Sequence, residues 1–316
     1  MSQIVTLVGA GLIGRGWAIL FAKAGWTVRL FDSDAGAPAR AFAAIEDNLA
    51  LLEREGIIAS ASELRTRMSF AASLPQALEG AAWVQESVPE AMDAKSAVFR
   101  TVGELTGPEV ILASSCSSIP PEEFMAEARY RERCLIAHPF SPPHLIPVVE
   151  IVPTRWTSPS VIAATREILT DLGQRPVMIR KPVRGFAVNR LQAAVINEAL
   201  SLVAEGVISP EDLDACMSQG LGLRWAFIGP FETMDLNAAH GFKDYATKYG
   251  GLYRVLLDDM RTDRPWSPSA IDEVERWRRA ACPAEADVSR RRLWRDYNLM
   301  RLGKLFRGAN PGANES

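Results

Sequence analysis

Along the first half of the chain, short apolar and β-branched runs alternate with longer stretches whose apolar positions recur at helical spacing. That alternation marks βαβ units built around a parallel sheet buried on both faces. The runs predict strands over 3–8, 27–31, 83–86, 110–113, 134–137 and 148–152, with a later one over 176–179. Helices are predicted over 14–24, 38–55 and 94–103. The pattern changes near Lys181, where Pro182 and Gly185 interrupt the segment RKPVRG and no strand alternation follows. Beyond it, Leu191, Val195, Ile196, Leu200 and Val203 fall on one helix face. Ser209, Pro210, Glu211 and Asp212 then supply an N-cap, a proline at the first helical position and an acidic first turn. The expected architecture is α/β: a doubly wound parallel-sheet domain over 1–183, then an all-helical domain over 184–316 with a frayed end from 308.

Size agrees with two domains, because 316 residues exceed the roughly 250 to 300 at which a single core stops growing. A hydrophobic share of 48% and a charged share of 23% exclude disordered and membrane classes. The formal net charge of -3 provides no global attraction to nucleic acid or anionic lipid, so an anionic ligand must be held by a local site. Cys116, Cys134, Cys216 and Cys282 show no CxxC spacing, which predicts reduced thiols and a cytoplasmic location. No signal peptide is expected, because the segment MSQIVTLVGAGLIG lacks a basic region and a strand is predicted almost at once, and no apolar run has the length of a membrane span. Neither a metal nor a membrane is expected as a partner.

The segment VTLVGAGLIGRGWA places Gly9, Gly11 and Gly14 between an apolar strand and a helix start. In that context the glycines permit a tight turn and close backbone approach to a pyrophosphate. The helix start, with Leu12 and Ile13, offers free N–H donors and the positive end of the helix dipole. Asp32 ends the second predicted strand, 18 residues after Gly14, where a carboxylate can bond ribose hydroxyls and repel a 2′-phosphate. This predicts a Rossmann-type NAD site; a flavin would use the same glycines, and packing alone would also favour them.

Of the three histidines, His138 follows the apolar run CLIA at a predicted strand end, the edge at which open parallel sheets bind ligands. Oxidising an alcohol requires a base for the hydroxyl proton, and imidazole titrates in the right range. Glu150 lies inside VVEIV, where burial of a carboxylate is costly without a partner. Read one at a time, a histidine after a strand can be structural, a strand glutamate can face solvent, and the serine run 114–118 can be a polar loop.

Together these segments resemble the 3-hydroxyacyl-CoA dehydrogenase superfamily along nearly the whole chain. The matches are Ser117 in ASSCSSIP, His138 in HPFSPP, Glu150 in PVVEIVP and Asn189 in GFAVNRL. The resemblance implies that His138 takes the hydroxyl proton, Glu150 orients it, and Ser117 and Asn189 hold the substrate oxygen. It also places Glu90 and Lys95, and again Ser117, beside the cofactor. One departure is Ser141, which stands where the superfamily carries asparagine. Within it, GLGLRWAFIGPFETMDLN and the closing RRRLWRDYNLMRLGKL are similar to the L-gulonate 3-dehydrogenase (lambda-crystallin) branch. Arg224 is a candidate clamp for a free carboxylate, since arginine offers a planar two-pronged donor; a surface ion pair is the alternative. The branch implies NAD-dependent oxidation of the 3-hydroxyl of a small acid, a site in the cleft between domains, and a homodimer. The alternatives are a 3-hydroxyacyl-CoA substrate, carnitine, a hydroxymethyl-pyridine carboxylate, or a non-catalytic crystallin-like role.

Overall fold

The computed structural model describes residues 3–260 and 266–309. Eight strands form one sheet: β1 (Ile4–Val8), β2 (Thr27–Phe31), β3 (Met68–Phe70), β4 (Trp83–Glu86), β5 (Ile111–Ser114), β6 (Cys134–Pro139), β7 (Val148–Pro153) and β8 (Arg175–Met178). Their order is β3-β2-β1-β4-β5-β6-β7-β8, the doubly wound arrangement. The mostly parallel, doubly wound sheet bears out the expected fold class, with one departure in detail: β7 runs antiparallel to β6. The segment 140–147 between them is shorter than the dozen or so residues a parallel crossover needs. β3 was not predicted, because three residues are too few to display a period. β6 runs two residues past its predicted end, so His138 lies within the strand and not after it.

The intervening helices are α1 (Leu12–Lys23), α2 (Ala37–Arg54), α3 (Ala61–Thr66), α4 (Leu74–Leu78), α5 (Met92–Leu105), α6 (Glu122–Met125) and α7 (Pro159–Asp171). α1 is the most deeply buried, with Trp17 and Phe21 both fully enclosed. Phe21 packs its ring 5.1 Å from Trp26 and 6.0 Å from Trp83, which seats α1 against the sheet centre. Each such ring contributes about 1.5–3 kcal/mol on burial. Across the sheet, Phe99 of α5 meets Phe124 of α6 at 5.4 Å.

The chain divides into compact units 1–189 and 190–316. Residues 185–189 stay with the sheet because their backbone and side chains bond to it: Gly185 N–H reaches the Ser118 carbonyl at 3.1 Å and Ala187 N–H reaches Glu150 at 2.9 Å. The second unit is helical, with α8 (Val188–Ala204) entering it, then α9 (Pro210–Ala215), a π turn (Cys216–Leu221), α10 (Gly222–Trp225), α11 (Pro230–Leu236), α12 (Gly241–Asp259), α13 (Pro268–Ala281) and α14 (Glu285–Ala309). Ser209 caps α9 as its sequence predicts, its Oγ accepting from Asp212 N–H at 3.1 Å. The apolar face predicted on α8 is buried only at Val203, while Leu191 is 65% exposed. Of the end read as frayed, 308–309 continue α14 and 310–316 lie outside the described residues. Among the described residues no helix is long and apolar enough to cross a membrane.

Candidate active site

β1 delivers the chain into a turn at Gly9, whose φ of +101° disfavours any side chain. A Cβ there would lie 2.6 Å from the Ser87 carbonyl oxygen, and one on Gly14 would lie 2.0 Å from the Gly9 oxygen. Gly11 differs: a Cβ would meet nothing within 4 Å, so the space above it is open. Gly11 is also the N-cap of α1 and has no side-chain cap bond. The first N–H groups, on Leu12 and Ile13, therefore suit a phosphate. The Asp32 carboxylate accepts from Ala10 N–H at 2.8 Å and from Asp34 N–H at 3.0 Å, tying the end of β2 to the glycine turn. Gly9, Gly11, Asp32, Ser87 and Val88 line one cavity of about 710 Å³, within the usual range for a small-molecule site. The open cradle at Gly11 and the carboxylate at the cavity wall fit a dinucleotide.

His138 and Glu150 are paired by the register of β6 and β7, which sets them directly opposite each other. The imidazole Nδ1 lies 2.8 Å from Glu150 Oε2, and both residues are buried. Glu150 Oε1 accepts from Ala187 N–H at 2.9 Å and Val188 N–H at 3.1 Å. Burial alone would raise this carboxyl; the His138 bond and the two backbone donors outweigh it and hold the group below the usual carboxylate range. A charged Glu150 demands a proton on Nδ1, which leaves Nε2 as the acceptor. Phe140 and Phe186 pack edge-on against the imidazole, at 4.7 Å and 5.7 Å.

Phe186 was not singled out from the sequence, although it follows a glycine. It is 1% exposed and has a φ of +48°, next to Gly185 at +74°. A left-handed phenylalanine costs on the order of 1–2 kcal/mol, and the turn it makes aims two backbone donors at Glu150. The same segment reaches the serine loop: Asn189 Nδ2 donates to the Ser117 carbonyl at 3.0 Å. The structure thus brings His138 together with Glu150, and Asn189 together with Ser117, with residues 185–189 linking the two pairs.

Glu90 sits among the serines. It accepts from the Ser117 hydroxyl, from Ser117 N–H at 3.2 Å and from Ser118 Oγ at 2.5 Å. Partial burial works to raise its pKa; the serine donors, with the charge of Lys95, prevail and lower it. Lys95, expected beside the cofactor, turns inward on the Glu86 side of the sheet edge. It is 1% exposed, and its Nζ bonds both Glu86 oxygens at 2.9 and 3.1 Å and lies 3.5 Å from the Val88 carbonyl. An unpaired ammonium could not be buried there; Glu86, which also accepts from Ser114 Oγ at 2.5 Å, compensates it. Ser141 is exposed. Arg224, on α10, is exposed and has no carboxylate partner among the described residues. Sequence reading also missed a buried network through Gln85 and Ser115, because no motif marks it.

The model of the 3-hydroxyacyl-CoA dehydrogenase NAD binding domain matches residues 4–182, and that of the C-terminal domain of the same family matches residues 185–273. The chain is 42% identical over 309 residues to a lambda-crystallin homolog of Bos taurus, covering 95% of each. It is 36% identical to an L-carnitine dehydrogenase of a Pseudomonas species, covering 86% of this chain and 89% of that one. Among solved structures it is similar to 5-formyl-3-hydroxy-2-methylpyridine 4-carboxylic acid 5-dehydrogenase, an NAD+ dependent dismutase, with a TM-score of 0.85, 28% identity, and 98% and 99% of the two chains covered.

Proposed function

The chain belongs to the 3-hydroxyacyl-CoA dehydrogenase family and is an NAD-dependent dehydrogenase, and from that premise we propose that it oxidises the 3-hydroxyl of a small free hydroxy acid of the L-gulonate type. The observation that carries the chemistry is the His138 Nδ1 to Glu150 Oε2 contact of 2.8 Å, which leaves Nε2 as a base. His138 takes the hydroxyl proton at Nε2, and Glu150 stabilises the imidazolium that results. Asn189, with one amide proton beyond the one given to the Ser117 carbonyl, donates to the reacting oxygen, and Ser117 joins it when its hydroxyl proton leaves Glu90. The glycine turn, the α1 start and Asp32 hold the cofactor, and Glu90 and its serine partners shape the adjoining loop. When bound, NAD supplies the hydride acceptor.

Two observations favour a free acid. Arg224 is exposed, has no carboxylate partner among the described residues, and carries a guanidinium suited to a carboxylate. The relative named for L-carnitine, itself a free 3-hydroxy acid, matches most of the chain. The second reading is a 3-hydroxyacyl-CoA substrate, favoured by the matched family model. Initial rates of NAD reduction with L-gulonate, 3-hydroxybutyrate, L-carnitine and 3-hydroxybutyryl-CoA side by side separate the two. A higher kcat/KM for the thioester than for every free acid refutes the free-acid reading and keeps the His138 mechanism.

The same reading includes a homodimer and a reducing, cytoplasmic setting. Large apolar side chains stand exposed on the helical unit, among them Phe231 at 76%, Leu236 at 67% and Val255 at 65%, and these are suited to burial against a second copy. Light scattering should give twice the chain mass. All four cysteines are free, and burial pushes the Cys116 thiol up to about 11 and the Cys134 thiol up to about 12.

A further inference from the structure

The hydroxyl of Ser115 stands at the centre of a network whose directions follow from counting donors and lone pairs. Trp83 Nε1 lies 3.0 Å from the Gln85 side-chain oxygen, and an indole N–H can only donate. That orients the Gln85 amide with its oxygen toward Trp83 and its nitrogen away. The orientation is fixed a second time at the other end, where Nε2 lies 3.2 Å from the Ala137 carbonyl, which can only accept. Gln85 is fully buried, so neither end has water as a substitute.

Gln85 Nε2 therefore donates to Ser115 Oγ at 2.8 Å, and Trp17 Nε1 donates to the same oxygen at 3.1 Å. A hydroxyl oxygen has two lone pairs, and these two donors occupy both. The remaining contact of Ser115 Oγ is with Ser87 Oγ at 2.9 Å. Were Ser87 to donate, Ser115 would have to accept a third bond while its own proton went unused. Ser115 is accordingly the donor and Ser87 the acceptor. The proton of Ser87 then has no acceptor among the described residues.

Ser87 lines the cofactor cavity and sits against the glycine turn: its carbonyl oxygen is the atom a Gly9 side chain would strike, and its Cβ lies 3.9 Å from where a Gly14 Cβ would be. We propose that Ser87 is a cofactor-binding residue whose hydroxyl, compelled by Ser115 to turn its proton outward, donates to a phosphate or ribose oxygen of the ADP-ribose portion of NAD. Two buried tryptophans set the polarity, so the site is pre-organised as a donor and pays no rotor cost when the acceptor arrives. The inference rests on the cavity being the NAD site.

The test is the dissociation constant of NAD+ and of ADP-ribose by titration calorimetry, for the full chain and for Ser87→Ala. Loss of one such bond is expected to weaken both ligands about tenfold, the equivalent of about 1.4 kcal/mol. The far-ultraviolet spectrum of the variant is expected to be unchanged. Affinities within twofold of the parent for both ligands overturn the proposal while leaving the cavity assignment intact. A loss seen with NAD+ and not with ADP-ribose overturns the assignment to that portion. A parent chain that binds neither ligand removes the premise and the proposal together.

Discussion

Replacing Glu150 with glutamine changes one atom of the candidate site and should reverse the tautomer of His138, the proposed base. The carboxylate accepts three bonds: from His138 at 2.8 Å on one oxygen, and from Ala187 and Val188 N–H at 2.9 and 3.1 Å on the other. The amide of Glu150→Gln has one oxygen for both tasks. Turning its NH2 toward Ala187 and Val188 would set donors against two backbone donors in a site with no exposure, so the oxygen must stay there. The NH2 then donates to His138 Nδ1, the ring proton moves to Nε2, and the face meant to accept the hydroxyl proton becomes a donor. A carboxylate-to-amide change that imposes the wrong tautomer on a catalytic histidine costs about 10⁴ in turnover in the serine-protease triad, equivalent to about 5.4 kcal/mol of barrier. Steady-state kinetics on the best hydroxy substrate should show kcat lower by three to four orders of magnitude with NAD+ affinity within twofold. A kcat within tenfold of the parent would refute the tautomer argument.

Four further outcomes follow from the same geometry. His138→Gln should lower kcat by orders of magnitude and leave the calorimetric NAD+ affinity unchanged, and retained turnover would end the proposed base role. Asp32→Ala removes the acceptor of the Ala10 N–H and the carboxylate at the cavity wall; binding of NAD+ should weaken and discrimination against NADP+ should relax, and equal NAD+ affinity would count against the ribose contact. Phe186→Ala should cost about 3–5 kcal/mol in denaturant unfolding, as for a buried aromatic, because the left-handed strain stays while the packing is lost; a change under about 1 kcal/mol would show that the turn is held by something else. Glu150 and Glu90 are both held below their ordinary value of 4.5 in the folded chain. Their contribution to stability is present above that pH and is lost as pH falls through the lower folded values, so melting temperature should drop in acid below about pH 4.5 and drop less steeply in Glu150→Gln.

What the sequence by itself determined is what local pattern encodes. Strand and helix periodicity, the three glycines between strand and helix, the acid at the end of β2 and the cap at Ser209 are all properties of a few consecutive residues, and each is legible without knowing where the chain goes next. His138, Glu150, Ser117 and Asn189 were legible as a set through resemblance, not through any spacing rule. The tertiary structure decided the rest, because it depends on which distant residues meet. The pairing of His138 with Glu150 is a cross-strand register made by an antiparallel turn that periodicity does not reveal. That the Lys95 ammonium is buried against Glu86 of β4 is likewise decided by packing, since a buried charge needs a counter-charge. Phe186 and Ser87 draw their importance from backbone strain and from a lone-pair count that closes only when Trp17, Trp83, Gln85 and Ser115 are brought into one buried place. Local propensity is written residue by residue, whereas the satisfaction of buried donors, acceptors and charges is a property of the packed whole.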